Sequence, residues 1–403
     1  MHMRRMVFLG GLLLLGMGAQ AQKTDSSGLV YQSTAEKLMS SDGKLSIGGY
    51  GEVHYNQALR PDIRKNGKLD VHRMVMLLGY NFNSRTHFVS EIEFEHVSEV
   101  YIEQAFIQHK INNFIQFRAG LLLIPMGIIN EYHEPTTFNG VERPLIDQKI
   151  SPTTWREIGF GFAGTLLPAS LKYQVYLVNG FNGYNGSALL NGKDALRGGR
   201  QKGAESYISS PDLTSRVEYF GFGGLNIGLS GYFGNTESSL YDGIDKTDVT
   251  ALAVADSSVV GISMLGLDAR YTRSALQCKF QMYYTSLSNT DQYNAFTAVN
   301  GQLNTLGSSM AGYYLEAGYN VFHPFENIKS ELIPFIRYEG YDTHFTVDGG
   351  LARNNSFNNS IITSGLSMKL SQGAVLKVDM QFFKSATETK YSKEFNAGIA
   401  VMF

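Results

Sequence analysis

From Leu45 to Phe403, apolar and polar residues alternate with a period of two in one segment after another. Successive side chains of a β-strand point to opposite faces, so this pattern predicts strands with one apolar and one polar face. In 88–96, Ile92 and Phe94 share a face, and Glu91, Glu93 and Glu95 share the other. In 264–272, Leu265, Leu267, Ala269 and Tyr271 oppose Gly266, Asp268, Arg270 and Thr272. In 276–284, Leu276, Cys278, Phe280, Met282 and Tyr284 oppose Gln277, Lys279, Gln281 and Tyr283. The last segment places Phe395, Ala397, Ile399, Val401 and Phe403 together. A soluble sandwich also alternates, but its strands run to about 5–6 residues. These run to about 10, the length a tilted strand needs to cross a bilayer.

The pattern predicts 16 strands, at 44–55, 68–82, 85–96, 99–110, 113–123, 155–166, 170–180, 212–221, 224–234, 262–272, 275–286, 311–321, 329–341, 361–370, 374–384 and 393–403. Short and long connections alternate between them, with the brief 97–98 link in a long-loop slot. Tight turns on one side and long loops on the other are the habit of outer-membrane barrels, and an even count returns both termini to the periplasm. The expected fold is therefore all-β: a transmembrane antiparallel barrel of about 16 strands with long extracellular loops, wide enough for water. Its contents are a signal peptide at 1–21, a polar periplasmic leader with little fixed structure at 22–43, and a barrel at 44–403.

Composition agrees with a wall that is half apolar and half wet. Charged residues are 17% and hydrophobic residues 43%, with 43 Gly, 23 Tyr and 25 Phe. Beyond the N-terminus there is no apolar run of the roughly 20 residues that a membrane helix needs. At the N-terminus, Arg4 and Arg5 precede an apolar stretch from Val7 to Met17 and an Ala19-Gln20-Ala21 cleavage pattern. The chain is thus expected to leave the cytoplasm. A formal net charge of −2, made more acidic by loss of Arg4 and Arg5, gives no basic excess for nucleic acid. The single Cys278 excludes an internal disulfide. The closing Phe403 resembles the C-terminal aromatic signal that barrel-assembly machinery reads.

The 124–154 connection stands apart. It holds four of the nine prolines, Pro125, Pro135, Pro144 and Pro152, and apolar anchors at Ile128, Ile129, Phe138, Leu145 and Ile146. Long loops with their own apolar residues pack somewhere. The expectation is that this third loop folds into the barrel, bringing Glu131, His133, Glu134, Glu142, Arg143, Asp147 and Lys149 to a constriction.

The stretch from Arg73 to Gly161 resembles the phosphate-selective porin family, the O and P porins. The resemblance rests on Leu69–Gly79, on VYIEQAFIQ at Val100–Gln108, on FRAGLLLIPMG at Phe117–Gly127 and on REIGFGFAG at Arg156–Gly164. It implies a 16-stranded homotrimeric porin with its third loop turned inward. The family's phosphate selectivity depends on constriction lysines and lumenal arginines, and the acidic third loop departs from that. Charges on the lipid face would cost about 2–4 kcal/mol each at the midplane. Arg73, Arg118, Arg216, Arg270, Arg337 and Lys279, with Lys172, Lys369 and Lys377, are therefore expected in the lumen, as are Glu91, Glu93 and Glu95. They either pair or set up a transverse field.

No G-x-S-x-G elbow is present and the nine histidines have no helical metal spacing, so no cofactor or metal is expected. The leading expectation is an outer-membrane porin, in contact with lipid, passing small hydrophilic solutes that include anions such as phosphate. A barrel enzyme and a plugged structural or adhesin-like barrel remain as alternatives.

Overall fold

The computed structural model describes residues 31–40 and 43–403. The signal segment at 1–21 lies outside the described residues, as do residues 22–30, 41 and 42 of the leader. Strands β1 (Leu45–Leu59), β2 (Lys68–Asn81), β3 (Thr86–Glu95), β4 (Glu99–Lys110), β5 (Gln116–Leu123), β6 (Arg156–Leu166) and β7 (Leu171–Val178) form the first half of a barrel. Then come β9 (Asp212–Phe222), β10 (Leu225–Asn235), β12 (Gly261–Arg273), β13 (Leu276–Ser288), β14 (Ser309–Tyr319), β15 (Glu331–Thr346), β16 (Asn358–Ser371), β17 (Ala374–Ser385) and β18 (Ser392–Met402). Two small strands, β8 (Asn182–Tyr184) and β11 (Glu237–Ser238), pair with each other in the loops. The other 16 close into one barrel in which β18 returns to β1, with Tyr50 opposite Met402 and Leu59 opposite Lys393.

Every neighbour in the barrel is antiparallel, and all 16 expected strands are found. The chief differences in extent are in β1, which runs on to Leu59, and in β15 and β16. β15 runs to Thr346, where it pairs with Ser309 of β14, and β16 begins at Asn358, opposite Asp342. The faces divide as the alternation demands. Met74, Phe94, Ile102, Ile158, Leu229, Leu265, Leu315, Ile336 and Ile399 point outward and are exposed, while Tyr50, Glu91, Arg216, Asp268, Gln281 and Arg337 on the other face are buried. A water-soluble protein would not leave so continuous an apolar surface; lipid is its natural solvent.

The short turns are built from local side chains. Asn83 Oδ1 accepts from the backbone N–H of Arg85 and Thr86, and Asn112 Oδ1 from that of Phe114 and Ile115. Such Asx turns let a few residues reverse the chain. Two bulges interrupt the ladders, one between β1 and β2 at Glu52/Val53 and one between β3 and β4 at Glu91/Ile92. Each adds a residue to one strand, so His72 and Arg73, and Glu103 and Gln104, both turn inward.

One expectation about the leader is corrected. Thr34–Met39 is a short helix, α1, with a capping box between Ser33 and Glu36. It does not trail away but sits inside the short-turn end of the barrel, with Ala35, Leu38 and Met39 buried. Polar residues mark the leader as soluble; what they could not show is that Glu36 has lumenal cations waiting for it. The remaining helices, α2 (Ile146–Lys149), α3 (Val249–Asp256) and α4 (Thr290–Phe296), all lie in the long connections.

Candidate functional site

The lumen is the candidate site, and the 124–155 loop dominates it. Gly127 has φ +70, and a Cβ there would strike the Tyr283 hydroxyl, so the turn after Pro125 needs glycine to send the chain inward. Asn130 then pins the loop's two ends. Its Nδ2 donates to Ile124 O at 2.7 Å and Trp155 O at 2.8 Å, and its Oδ1 accepts from Trp155 N at 2.7 Å. Trp155, the chain's one tryptophan, is fully buried and stacks on Phe181 with ring centroids 4.6 Å apart. The inward third loop is thus present as expected.

A loop buried in a lumen still has to satisfy its backbone. Here the strands' charged side chains do it. Arg73 donates to His133 O at 2.6 Å, Lys377 to Gly140 O at 2.9 Å, Lys279 to Thr137 O at 2.7 Å and Arg337 to Glu142 O at 3.3 Å. Asp379 accepts from Val141 N at 2.7 Å and Glu339 from Leu145 N at 2.6 Å. Many wall charges therefore hold the loop.

The arginines expected in the lumen are all there, and each has a carboxylate partner. Arg73 Nε lies 2.6 Å from Glu52, and Arg118 lies 3.4 Å from Glu36. Arg216 grips Asp268 with two nitrogens at 2.6 and 2.9 Å, and Arg270 meets Glu218 at 2.5 Å. Arg337 stands 2.9 Å from Glu339 and 3.3 Å from Glu316, while Lys279 is 3.8 Å from Glu316. Cations and acids alternate around the ring instead of facing each other from separate walls, so mutual pairing describes these side chains better than a transverse field.

Glu91, Glu93 and Glu95 do share the lumenal face of β3. Glu91 accepts from the Tyr50 hydroxyl at 2.6 Å and from Gln104 at 2.5 Å. Glu93 is 3.9 Å from Arg73, and Glu95, nearer the long-loop rim, is 3.9 Å from His96. The loop residues disperse. Glu131 turns to Lys172 at 3.3 Å and Arg216 at 3.6 Å. Glu134 accepts from the backbone N–H of Thr34 at 3.0 Å, tying the loop to α1. His133 is wedged 3.1 Å from Glu103 and 3.4 Å from Glu91. Burial alone would depress its pKa, but these carboxylates raise it to about 10, so the imidazole is a cation. Arg73 and Arg156 add further positive charge, which leaves this acidic pocket already balanced.

Two loop residues lie away from the constriction where they were expected. Asp147 is buried, accepting the Tyr283 hydroxyl at 2.6 Å, and Lys149 reaches Asp194 in the next loop at 3.0 Å. The one-turn helix α2 points both away from the open space. Glu142 and Arg143 do face it. They line a cavity of about 440 Å³ at the long-loop end with Glu52, His54, His72, Arg73, Glu95, His96 and Arg197. At the short-turn end, α1 stands between cavities of about 380 and 420 Å³. Lys172 there lies 2.9 Å from Glu36.

Sequence reasoning missed Glu36, Glu52, His54 and Glu103. The β1 alternation carried a usable signal for Glu52 and His54. Glu103 was hidden, because the bulge beside it changes the parity of β4.

Over 357 residues the chain is 30% identical to an uncharacterized protein of Aquifex aeolicus strain VF5, covering 86% of this chain and 77% of the relative. The chain belongs to the family of that protein. No family model matches it. Among solved structures, it resembles OmpF of Salmonella typhi in complex with daunomycin, with a TM-score of 0.55 at 13% identity over 89% of this chain and 97% of that one. It also resembles the anion-selective porin of Comamonas acidovorans, with a TM-score of 0.52 at 12% identity over 89% and 99%. A loop-deletion mutant of OmpT, an outer membrane protein of Vibrio cholerae, gives 0.51 at 13% identity over 89% and 99%. The chain therefore has the fold of these porins.

Proposed function

We propose that this protein is a passive outer-membrane channel for small hydrophilic solutes. The observation that carries the reading is a closed barrel with an apolar exterior, a charged interior and a long loop folded into its lumen. Such a wall separates lipid from a wet path. In this reading the N-terminal segment is a cleaved export signal, the apolar barrel exterior sits in the outer membrane, and Phe403 is the residue offered to the assembly machinery. Phe403 N donates to Gly49 O at 2.9 Å, so this signal also closes the barrel. A homotrimer is the expected assembly; one similar structure, in-vitro folded OmpT of Vibrio cholerae, is a trimer form.

Phosphate selectivity is not part of the proposal. Arg73, Arg118, Arg216, Arg270 and Arg337 each already face a carboxylate, so an entering anion would meet cations whose charge is largely offset. Weak charge preference follows. Planar-bilayer recording of the purified chain tests the reading: stepwise ohmic openings are expected, and a folded barrel that carries no current refutes it. Phosphate that blocks chloride current at micromolar concentration would restore the selective alternative.

A further inference from the structure

At the long-loop mouth, outside the charge pairs that hold the third loop, β2 and the link to β4 bring three metal-type donors together. Asp70 Oδ2 lies 3.5 Å from His72 Nδ1 and 2.7 Å from His96 Nδ1. Both imidazoles turn the same nitrogen to the same carboxylate oxygen, and the three donor atoms all lie within 4.8 Å of one another. Tetrahedral ligands held about 2 Å from a zinc ion stand about 3.4 Å apart. The observed spacing needs only small side-chain rotations to reach that.

The surroundings fix these donors without consuming them. The β1–β2 bulge is what turns His72 inward beside Arg73. The His54 ring lies flat on His72, with centroids 4.7 Å apart and planes 12° apart. His54 is itself held by Glu52 at 3.1 Å and Glu142 at 3.2 Å. His96 sits in a turn where both it and Val97 have positive φ, 50° and 69°. That backbone is costly for a β-branched residue, and it brings His96 back over Asp70. Glu95 stands 3.9 Å from the far nitrogen of His96, the place of a carboxylate that orients a ligating histidine. The three side chains are 30%, 31% and 45% exposed, so an ion in water reaches them.

We propose that Asp70, His72 and His96 bind a divalent transition-metal cation of the zinc class at the mouth of the lumen. Two imidazoles and one carboxylate suit a borderline cation better than calcium, which takes six to eight oxygens. Three protein ligands leave a coordination position open, the arrangement of an exchangeable site and not of a structural one. The adjoining cavity, with Glu95, Glu142 and Glu52, continues the donors inward.

The test is calorimetric titration of the folded full-length barrel with ZnCl2, repeated with CaCl2. The expected result is one saturable zinc site per chain. Affinity should fall by at least about tenfold in H96A and further in the H72A/H96A pair. Calcium should not compete. His109→Ala, at the short-turn rim where His109 meets Thr86, should bind as the parent does. Heat-modifiable gel migration shows that each variant is folded. The proposal is overturned if the parent chain shows no saturable zinc site, if H72A/H96A binds as the parent does, or if calcium competes equally.

Discussion

At the short-turn end of the lumen, Lys172, Arg216 and Arg270 meet Glu36, Glu131 and Glu218, with exposures of 2–17%. At the long-loop end, His72, His96, Asp70, Glu95 and Glu142 are 30–45% exposed. The residue types are similar and the spacings are similar. Burial is what separates them. Below the third loop, charges are consumed in holding chain to chain; above it, they remain available to whatever enters. Water screens the upper set and is excluded from the lower, so equal distances carry unequal energies.

The largest test of this contrast is a pair of truncations. Arg216→Ala leaves Asp268 and Glu218 buried and short of a partner, and should cost about 3–5 kcal/mol of stability. Glu95→Gln in the vestibule should change it by less than about 0.5 kcal/mol. Urea unfolding followed by the fluorescence of buried Trp155 measures both. Equal losses would break the comparison.

A comparable effect comes from Asp147, buried in the third loop. Burial raises its carboxyl from 3.8 to about 7, even though the Tyr283 hydroxyl donates to it. A raised pKa means that the folded state holds the proton more tightly. The stability this group contributes is therefore fully present below about pH 3.8 and is lost as pH rises through about 7. Asp147→Asn keeps an acceptor for Tyr283 without the charge. It should gain up to about 4 kcal/mol at pH 8 and nothing at pH 3.5. A flat difference across that range would show that Asp147 is solvated.

Next comes conductance. α1 stands between the two lower cavities, held by Arg118 and Lys172. Deleting residues 31–40 should raise single-channel conductance on the order of twofold, because it removes a helix that stands in the lower path. An unchanged current would mean that ions bypass α1 altogether.

The upper and lower regions also differ in how legible they were. Strand positions follow from period-two alternation, which a wall facing lipid on one side enforces residue by residue, and they held through the last strand, which ends at Met402. The inward loop was legible through Ile128, Ile129 and Phe138, which had to bury somewhere. What alternation cannot carry is register. Asp70, His72 and His96 look unrelated along the chain, and only the bulge and the tight 96–98 link bring them together. Glu103 was lost for the same reason, since one extra residue changes which face a side chain takes. The docking of Glu36 on Lys172 spans 136 positions and has no local signature at all.

The finest test concerns charge preference. Arg143 lines the upper cavity, and its guanidinium donates to His133 O at 3.3 Å. Arg118 is instead locked below by Glu36, Gln108 and Tyr176. If availability, not mere presence, sets selectivity, Arg143→Ala should shift the reversal potential toward cations, with a permeability ratio changed by less than about twofold given screening in the open vestibule. Arg118→Gln should leave that ratio alone while lowering stability, because its charge already belongs to Glu36. The reverse outcome would mean that ions sample the lower ring more closely than the upper, and would place the selective zone at α1.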